Sequence, residues 1–436
     1  MARPDKLLAS PIEAAPLPEV INHTPWPSQY FQHVDPHGEI FHVMVTRMTY
    51  ALVGMATAQS ASSRTQITPI LLPPEDQPPV ADADECIGTL NETSVLQESD
   101  FAPYKPKCDV LLINATAYAP DGKPQTRWPV GLRVGEMQKA FQVTGPRKFE
   151  RGLTTLGMLQ LGEPQAASEV ALNYEHAYGG PNVIADKLKL DGYAEDKSLS
   201  ADTRKRTQQI AEAQPEFFGE NPIGCGREPD SVERLKESIK EIERQAGIAA
   251  SDVKADNAAA DPRRAPQIEL LNQPFKGQPS YPVIGIGPLA RWWLPRRLLA
   301  GTHDHAWKAT QWPKSPKDHD YRYWNCAPED QQIDYPVGGE LIGMINLTPG
   351  SSTESPVHFT LPRQDLQLLV RLQVGAMMFA PMHIDTLIID FKAGTLTVVR
   401  RALVSAAADV RQLELGTWPS GTAMSFVDAL DGTIHG

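Results

Sequence analysis

His303-Asp304-His305 sets two imidazoles two residues apart, so both project from one face if the backbone is extended. Asp318, His319 and Asp320 follow soon after. Imidazole and carboxylate together suit a divalent metal. No close ligand pattern such as H-E-x-x-H accompanies them. Loop histidines and turn aspartates account for the same residues, so no metal is expected. The same stretch holds the carboxylates Asp318, Asp320, Glu329 and Asp330, and Trp292, Trp293, Trp307, Trp312 and Trp324 are five of the chain's eight tryptophans. Two carboxylates held about 5–10 Å apart can hydrolyse a glycosidic bond. Indoles stack on sugar rings, and they equally build cores and protein interfaces. A carboxylate-based hydrolase acting on a glycan-like substrate through residues 291–330 is therefore one reading of the chemistry.

Gly285-Ile286-Gly287, followed by Ala290, resembles the start of a dinucleotide fingerprint. That fingerprint needs a helix to open there, with its amides facing a pyrophosphate. Pro288 and the run Arg291-Trp292-Trp293-Leu294-Pro295 follow instead, so a turn between packed strands is expected and no cofactor. Neither a nucleophile elbow nor a phosphate-binding loop occurs. The segment Arg291–Arg297, RWWLPRR, mixes the residue types that dominate binding hot spots. Arg291, Trp292, Trp293, Arg296 and Arg297 are candidate protein-binding residues on that ground. Val232, Leu235 and Ile239 are a second candidate set, on a helix expected over 229–247. With Ile242 they recur at helical spacing, Asp230 with Glu233 can form a capping box, and Gly247 supplies the stop. An apolar stripe of this kind is expected to pack on the protein's own sheet in preference to a cargo.

The elements around these residues are mostly strands. The chain has 436 residues, of which 39 are proline and 31 glycine, together above the usual ~12%. Proline breaks helix interiors, which disfavours a helical bundle. Strands are expected at Ile40–Leu52, Gln66–Leu72, Asp109–Tyr118, Glu169–Tyr174 and 366–374. Two hairpins are expected, one around Gly135-Glu136 and one around Lys392-Ala393-Gly394. A polar helix fits 198–213, and residues 73–100 read as a loop. The fold class is mainly β (α+β overall): a large antiparallel β-sandwich-like framework with a partly helical insertion. Its parts are an extended N-terminal tail (1–25), a β-rich part (26–184), the insertion with an Ala/Asp-rich linker (185–262), a second β-rich part (263–405) and a C-terminal tail (406–436).

The formal net charge of −12 argues against nucleic acid as a partner. No apolar run is long enough for a membrane span, and Met1–Ile21 has no apolar core of a signal peptide. Four widely spaced cysteines, without a close pair, argue against zinc and fit a reducing cytoplasm.

Several clusters are specific in wording: CDVLLINATAYAP (108–120), VTGPR (143–147), YEHAYGG (174–180), NPIGCG (221–226), AGTHDHAW (300–307) and NCAPEDQ (325–331). In that order they resemble the domain of unknown function 2169 family of bacteria, from about residue 20 to 402. The resemblance implies a non-catalytic cytosolic adaptor or chaperone associated with type VI secretion. Its partners would be a type VI secretion effector, often linked to a PAAR-domain protein, and the VgrG spike protein onto which the effector is loaded. No catalytic set carries over with the resemblance.

Overall fold

The computed structural model describes residues 16–55, 65–151, 159–180, 183–213, 218–227, 229–248 and 263–418. Strand β1 is Glu19–Asn22, β2 is Ser28–Val34, β3 is Ile40–Val53 and β4 is Thr68–Leu71. A seven-stranded sheet runs in the order Gln332–Ile333, Cys108–Ile113, His383–Asp390, Thr395–Ser405, β3 and β2, with β4 also paired to β3. A five-stranded sheet runs Ile268–Leu270, Met137–Thr144, Arg127–Val134, Leu341–Ile345, Val357–Thr360. A four-stranded sheet runs β1, Val410–Thr417, Leu366–Leu372, Met377–Pro381. Pairing is mainly antiparallel. Cys108–Ile113 with His383–Asp390, and β1 with Val410–Thr417, are parallel.

Both expected hairpins form. Val134 pairs with Met137 across a two-residue loop, and Gly135 takes the positive φ (57°) that the tight turn requires. In the second hairpin Asp390 Oδ1 accepts the amides of Lys392 (2.8 Å) and Ala393 (3.1 Å), the ordinary way an aspartate closes a turn. The strand expected over 109–118 is split. Asn114 adopts φ 52°, ending one strand at Ile113, and Thr116–Tyr118 pairs elsewhere with Glu169–Ala171. Two tails are corrected. Within 1–25, β1 is a paired strand, and within 406–436, Val410–Thr417 lies inside the four-stranded sheet. Its Glu414 is buried and bonded to Arg371 and His23, so a charge that reads as solvated is a sheet contact. Residues 249–262, most of the expected linker, lie outside the described residues.

One continuous apolar core joins residues of all three sheets, among them Met44 and Met48, Leu132 and Phe141, and Leu368 and Leu413. The other face of the seven-stranded sheet is different. There Arg47 reaches Asp100 (3.1 Å), Arg401 reaches Asp385 (2.6 Å), and Lys105 reaches Asp109 (2.8 Å) and Thr386 (2.9 Å). Gln77 bonds both the amide (2.8 Å) and the carbonyl (3.1 Å) of Thr49, standing in for a neighbouring strand. The segment 73–107, expected as a loop over 73–100, holds the short paired strands Glu85–Cys86 and Val95–Gln97, and buried charges and amides fasten it to this face beside a few apolar contacts such as Phe101 on Phe31. Such groups are tolerated inside only when paired.

The insertion is a helical lobe: α1 (Ile184–Glu195), α2 (Ala201–Glu212) and α3 (Pro229–Ala246). Ser200 caps α2 by accepting the Thr203 amide at 3.1 Å. Leu235, Ile239 and Ile242 of α3 are buried with Leu190 and Ala211 in a core that, among the described residues, contains no sheet residue. The expectation that this face packs on the sheet is therefore corrected: it packs on α1 and α2. The side chain of Val232 lies outside the described residues. A core this small has little to lose. Leu235→Ala is expected to cost about 2–5 kcal/mol, enough to melt the lobe alone. Amide exchange should then accelerate across 183–248 and stay slow in the sheets. Equal acceleration in the sheets would make lobe and framework one cooperative unit.

Candidate functional site

The segment 284–297 is positioned from below by Tyr174. Its hydroxyl donates to the Gly287 carbonyl at 2.9 Å, and its ring meets Trp293 edge-on, centroids 4.9 Å apart. Gly285 lies so close that a Cβ there would sit 2.2 Å from the Tyr174 ring. The Ile286 carbonyl accepts the Leu112 amide at 3.0 Å. These contacts make GIGPLA an irregular backbone pressed against a strand; the turn between packed strands expected here is corrected, because among the described residues no strand flanks it on either side, and no helix opens there. Gly285→Ala is expected to destabilise by about 1–3 kcal/mol through overpacking of a ring with nowhere to move. A lowered urea midpoint with unchanged slope would register it; an unchanged midpoint would mean that Tyr174 can yield.

Past Trp293 the chain makes one helical turn, Leu294–Arg297. Arg296 points inward. It donates to both carboxylate oxygens of Glu98, to the Leu289 carbonyl (2.7 Å) and to the Tyr323 carbonyl (3.0 and 2.8 Å). Trp293 and Arg296 are 1% and 2% exposed. Both are corrected from contact residues to internal staples. Trp292 is half-buried and packs on the core. Arg291 is half-buried, paired with Asp84 at 3.1 Å and lying over the Trp324 ring. Arg297 alone of the five is fully on the surface. Leu235 and Ile239 are interior to the lobe.

The candidate acid–base and metal residues are dispersed into separate local roles. Asp318 accepts the Thr302 amide (2.9 Å) and hydroxyl (2.7 Å). Asp304 caps the helix His305–Thr310 by accepting the Trp307 amide at 2.7 Å, and His303 rests edge-on against Trp307. Asp320 binds the amide (2.9 Å) and guanidinium (2.6 Å) of Arg322. Among the described residues no group of three His, Cys, Asp or Glu side chains could hold a metal ion. Apart from the neighbours Trp292 and Trp293, which meet edge-on at 6.2 Å, the tryptophans serve separate places: Trp293 is interior, the Trp307 indole donates to the Lys314 carbonyl (2.9 Å), and Trp312 is exposed.

Two buried hubs were not singled out from the sequence. Asp109, 0% exposed, accepts from Lys105 (2.8 Å), Asn325 (3.0 Å) and the amides of Cys326 (3.0 Å) and Ala327 (3.2 Å). Lys139 donates to the Gly285 carbonyl (2.7 Å), Asp330 (2.7 Å) and Gln331 (2.8 Å). Gln331 in turn donates to the carbonyls of Val110 (2.6 Å) and Ile286 (3.1 Å). Burial pulls the Lys139 ammonium pKa below its usual value, against the opposing pull of Asp330. The signal available in sequence is a charge at an inward position: Asp109 within the otherwise apolar CDVLLI, and Lys139 in phase with Phe141 and Val143 of MQKAFQVT.

Four of the six specific clusters prove to be joined in pairs. CDVLLI meets NCAPEDQ at Asp109. YEHAYGG meets NPIGCG where Asn221 donates to the carbonyls of Tyr174 (2.9 Å) and Tyr178 (3.1 Å). Arg147 of VTGPR donates to the Pro266 carbonyl and pairs with buried Glu269. The sequence pattern of a bacterial family, described as an uncharacterized protein conserved in bacteria (DUF2169), matches residues 42–401. The chain belongs to that family. No curated protein and no solved structure matches it. The stretch matched to the DUF2169 family contains both buried hubs and the helical lobe, and it leaves out β1, β2 and Val410–Thr417. Among the described residues no helix is long and apolar enough to cross a membrane.

Proposed function

We propose that the protein is a non-catalytic adaptor or chaperone, acting in the bacterial cytoplasm. It holds a type VI secretion effector, linked to a PAAR-domain protein, and assists its loading onto the VgrG spike protein. The partners' identities come from the family resemblance. What supports a binding role over a hydrolytic one is the state of the carboxylates. Three of the four candidate carboxylates, Asp318, Asp320 and Asp330, are each tied to a different neighbouring donor, and Glu329 is exposed, whereas a general acid or base needs a proton-transfer path to substrate. A reducing compartment agrees with four free cysteines.

The test is affinity capture of the tagged protein from its own bacterium while the secretion genes are expressed, with partners identified by mass spectrometry. An effector, PAAR or VgrG protein should co-purify. Recovery of the protein alone overturns the reading. So does glycan hydrolysis by the purified protein that Glu329→Gln abolishes without unfolding it.

A further inference from the structure

Most sheet edges among the described residues are short or guarded. Gln332–Ile333 has two residues and Ile268–Leu270 three. Val357–Thr360 is bridged by Gln66, and Met377–Pro381 ends in proline. β2 differs. It is the outermost strand of the seven-stranded sheet, seven residues long, in unbroken register with β3, and SQYFQHV carries no Lys, Arg, Asp or Glu. Burial, reinforced by the nearby His319, lowers the His33 pKa to about 4, with Asp35 opposing, so this strand is uncharged at neutral pH. Natural edges are normally protected against pairing by charge, proline, bulges or brevity.

The register says which amides face outward. The Arg47 amide donates to Pro27 and the Asp35 amide to Glu39, so odd-numbered residues of β2 bond to β3. By alternation Tyr30 and Val34 aim their amides away from it. Beside the strand, Phe31 packs on half-exposed Phe101, ring centroids 5.3 Å apart, forming an apolar shelf.

We infer that the outer edge of β2 receives an extended segment of a client protein as an added strand, apolar opposite Phe31 and Phe101 and not acidic. This deepens, and rests on, the adaptor reading. Main-chain bonds would supply affinity, and the shelf would select side chains. A net charge of −12 disfavours an acidic segment, and it disfavours a second copy of the same chain.

The probe is an acetylated octapeptide of alternating valine and threonine with a C-terminal lysine amide, at millimolar concentration, read by residue-resolved amide exchange. In the protein alone, Tyr30 and Val34 should exchange faster than Phe31 and His33. With peptide they should slow by about tenfold or more, which is about 1.4 kcal/mol of protection. Val34→Pro removes an outward amide and leaves the bonds to β3 intact, so it should abolish the slowing at Tyr30 while Phe31 stays protected. Val34→Lys should do the same if the proline variant folds poorly. Four results overturn the inference: no slowing with peptide; slowing that both variants retain; Tyr30 and Val34 already slow in the dilute protein; or slowing that grows with protein concentration alone, which would make the occupant a second copy. Because the probe is not a client, failure here leaves the affinity-capture test of the adaptor reading standing.

Discussion

Asp109→Asn is expected to destabilise the protein by about 3–5 kcal/mol, a large part of the ~5–15 kcal/mol that typically separates folded from unfolded chains. The wild-type carboxylate gathers the Lys105 ammonium, the Asn325 amide group and the backbone amides of Cys326 and Ala327. An amide of the same shape turns an acceptor into a donor facing donors, and leaves the Lys105 charge without its partner in a buried site. Urea unfolding of both proteins gives the difference directly. Its pH dependence has a definite sign. Burial opposes the Asp109 charge, but Lys105 and the hydrogen-bond donors outweigh burial and hold its pKa below the ordinary carboxylate value. Stability from this group is therefore present above the unfolded pKa, near 4. It is lost as pH falls through the lower folded value. The gap between wild type and Asp109→Asn should be full at neutral pH and shrink below about pH 4. A gap that persists unchanged into stronger acid would show that shape, and not charge, sets the cost.

Arg296→Ala should be comparably damaging, at about 3–5 kcal/mol, because it strands a buried partner. The side chains of Arg296 and Glu98 are 3% and 8% exposed. Removing the guanidinium leaves the Glu98 carboxylate to the more distant Arg291, and leaves the Leu289 and Tyr323 carbonyls without this donor. Arg297→Ala, one residue on and exposed, should change stability by no more than about 0.5 kcal/mol. The pair separates two meanings of RWWLPRR. If both substitutions weaken partner capture while neither lowers the urea midpoint, the segment is a contact surface. The geometry leads to the opposite outcome for Arg296: loss of fold first, and loss of binding only as its consequence.

That segment illustrates where sequence reading stops. Arg and Trp at hot-spot density also describe an internal staple, since both side chains combine apolar bulk with donors. The deciding partners, Glu98 and Tyr174, lie far off along the chain. Hairpins were legible because alternation and a turn glycine are local signals, as at Gly135 and Gly394. Helix α3 was legible from Leu235, Ile239 and Ile242, but the surface it packs on was not, because α1 has no comparably regular stripe. Val410–Thr417 escaped notice for a physical reason: a register shift puts Val410 and Leu413, three residues apart, in the same core, which breaks the alternation, and the Arg371 that pairs with Glu414 sits in another strand. The seven-stranded sheet's charged face inverts the usual cue, since its buried Arg47, Lys105 and Arg401 read locally as surface residues.

The parallel pairing of β1 with Val410–Thr417 has a consequence for synthesis on the ribosome. Glu19 aligns with Gln412, nearly four hundred residues later, and the later strand sits between β1 and Leu366–Leu372. At about 5–20 residues per second, β1 waits some tens of seconds for the strand that completes it. Until then the earliest-made part of this sheet is a nascent segment without its neighbour, within reach of whatever waits at the tunnel exit.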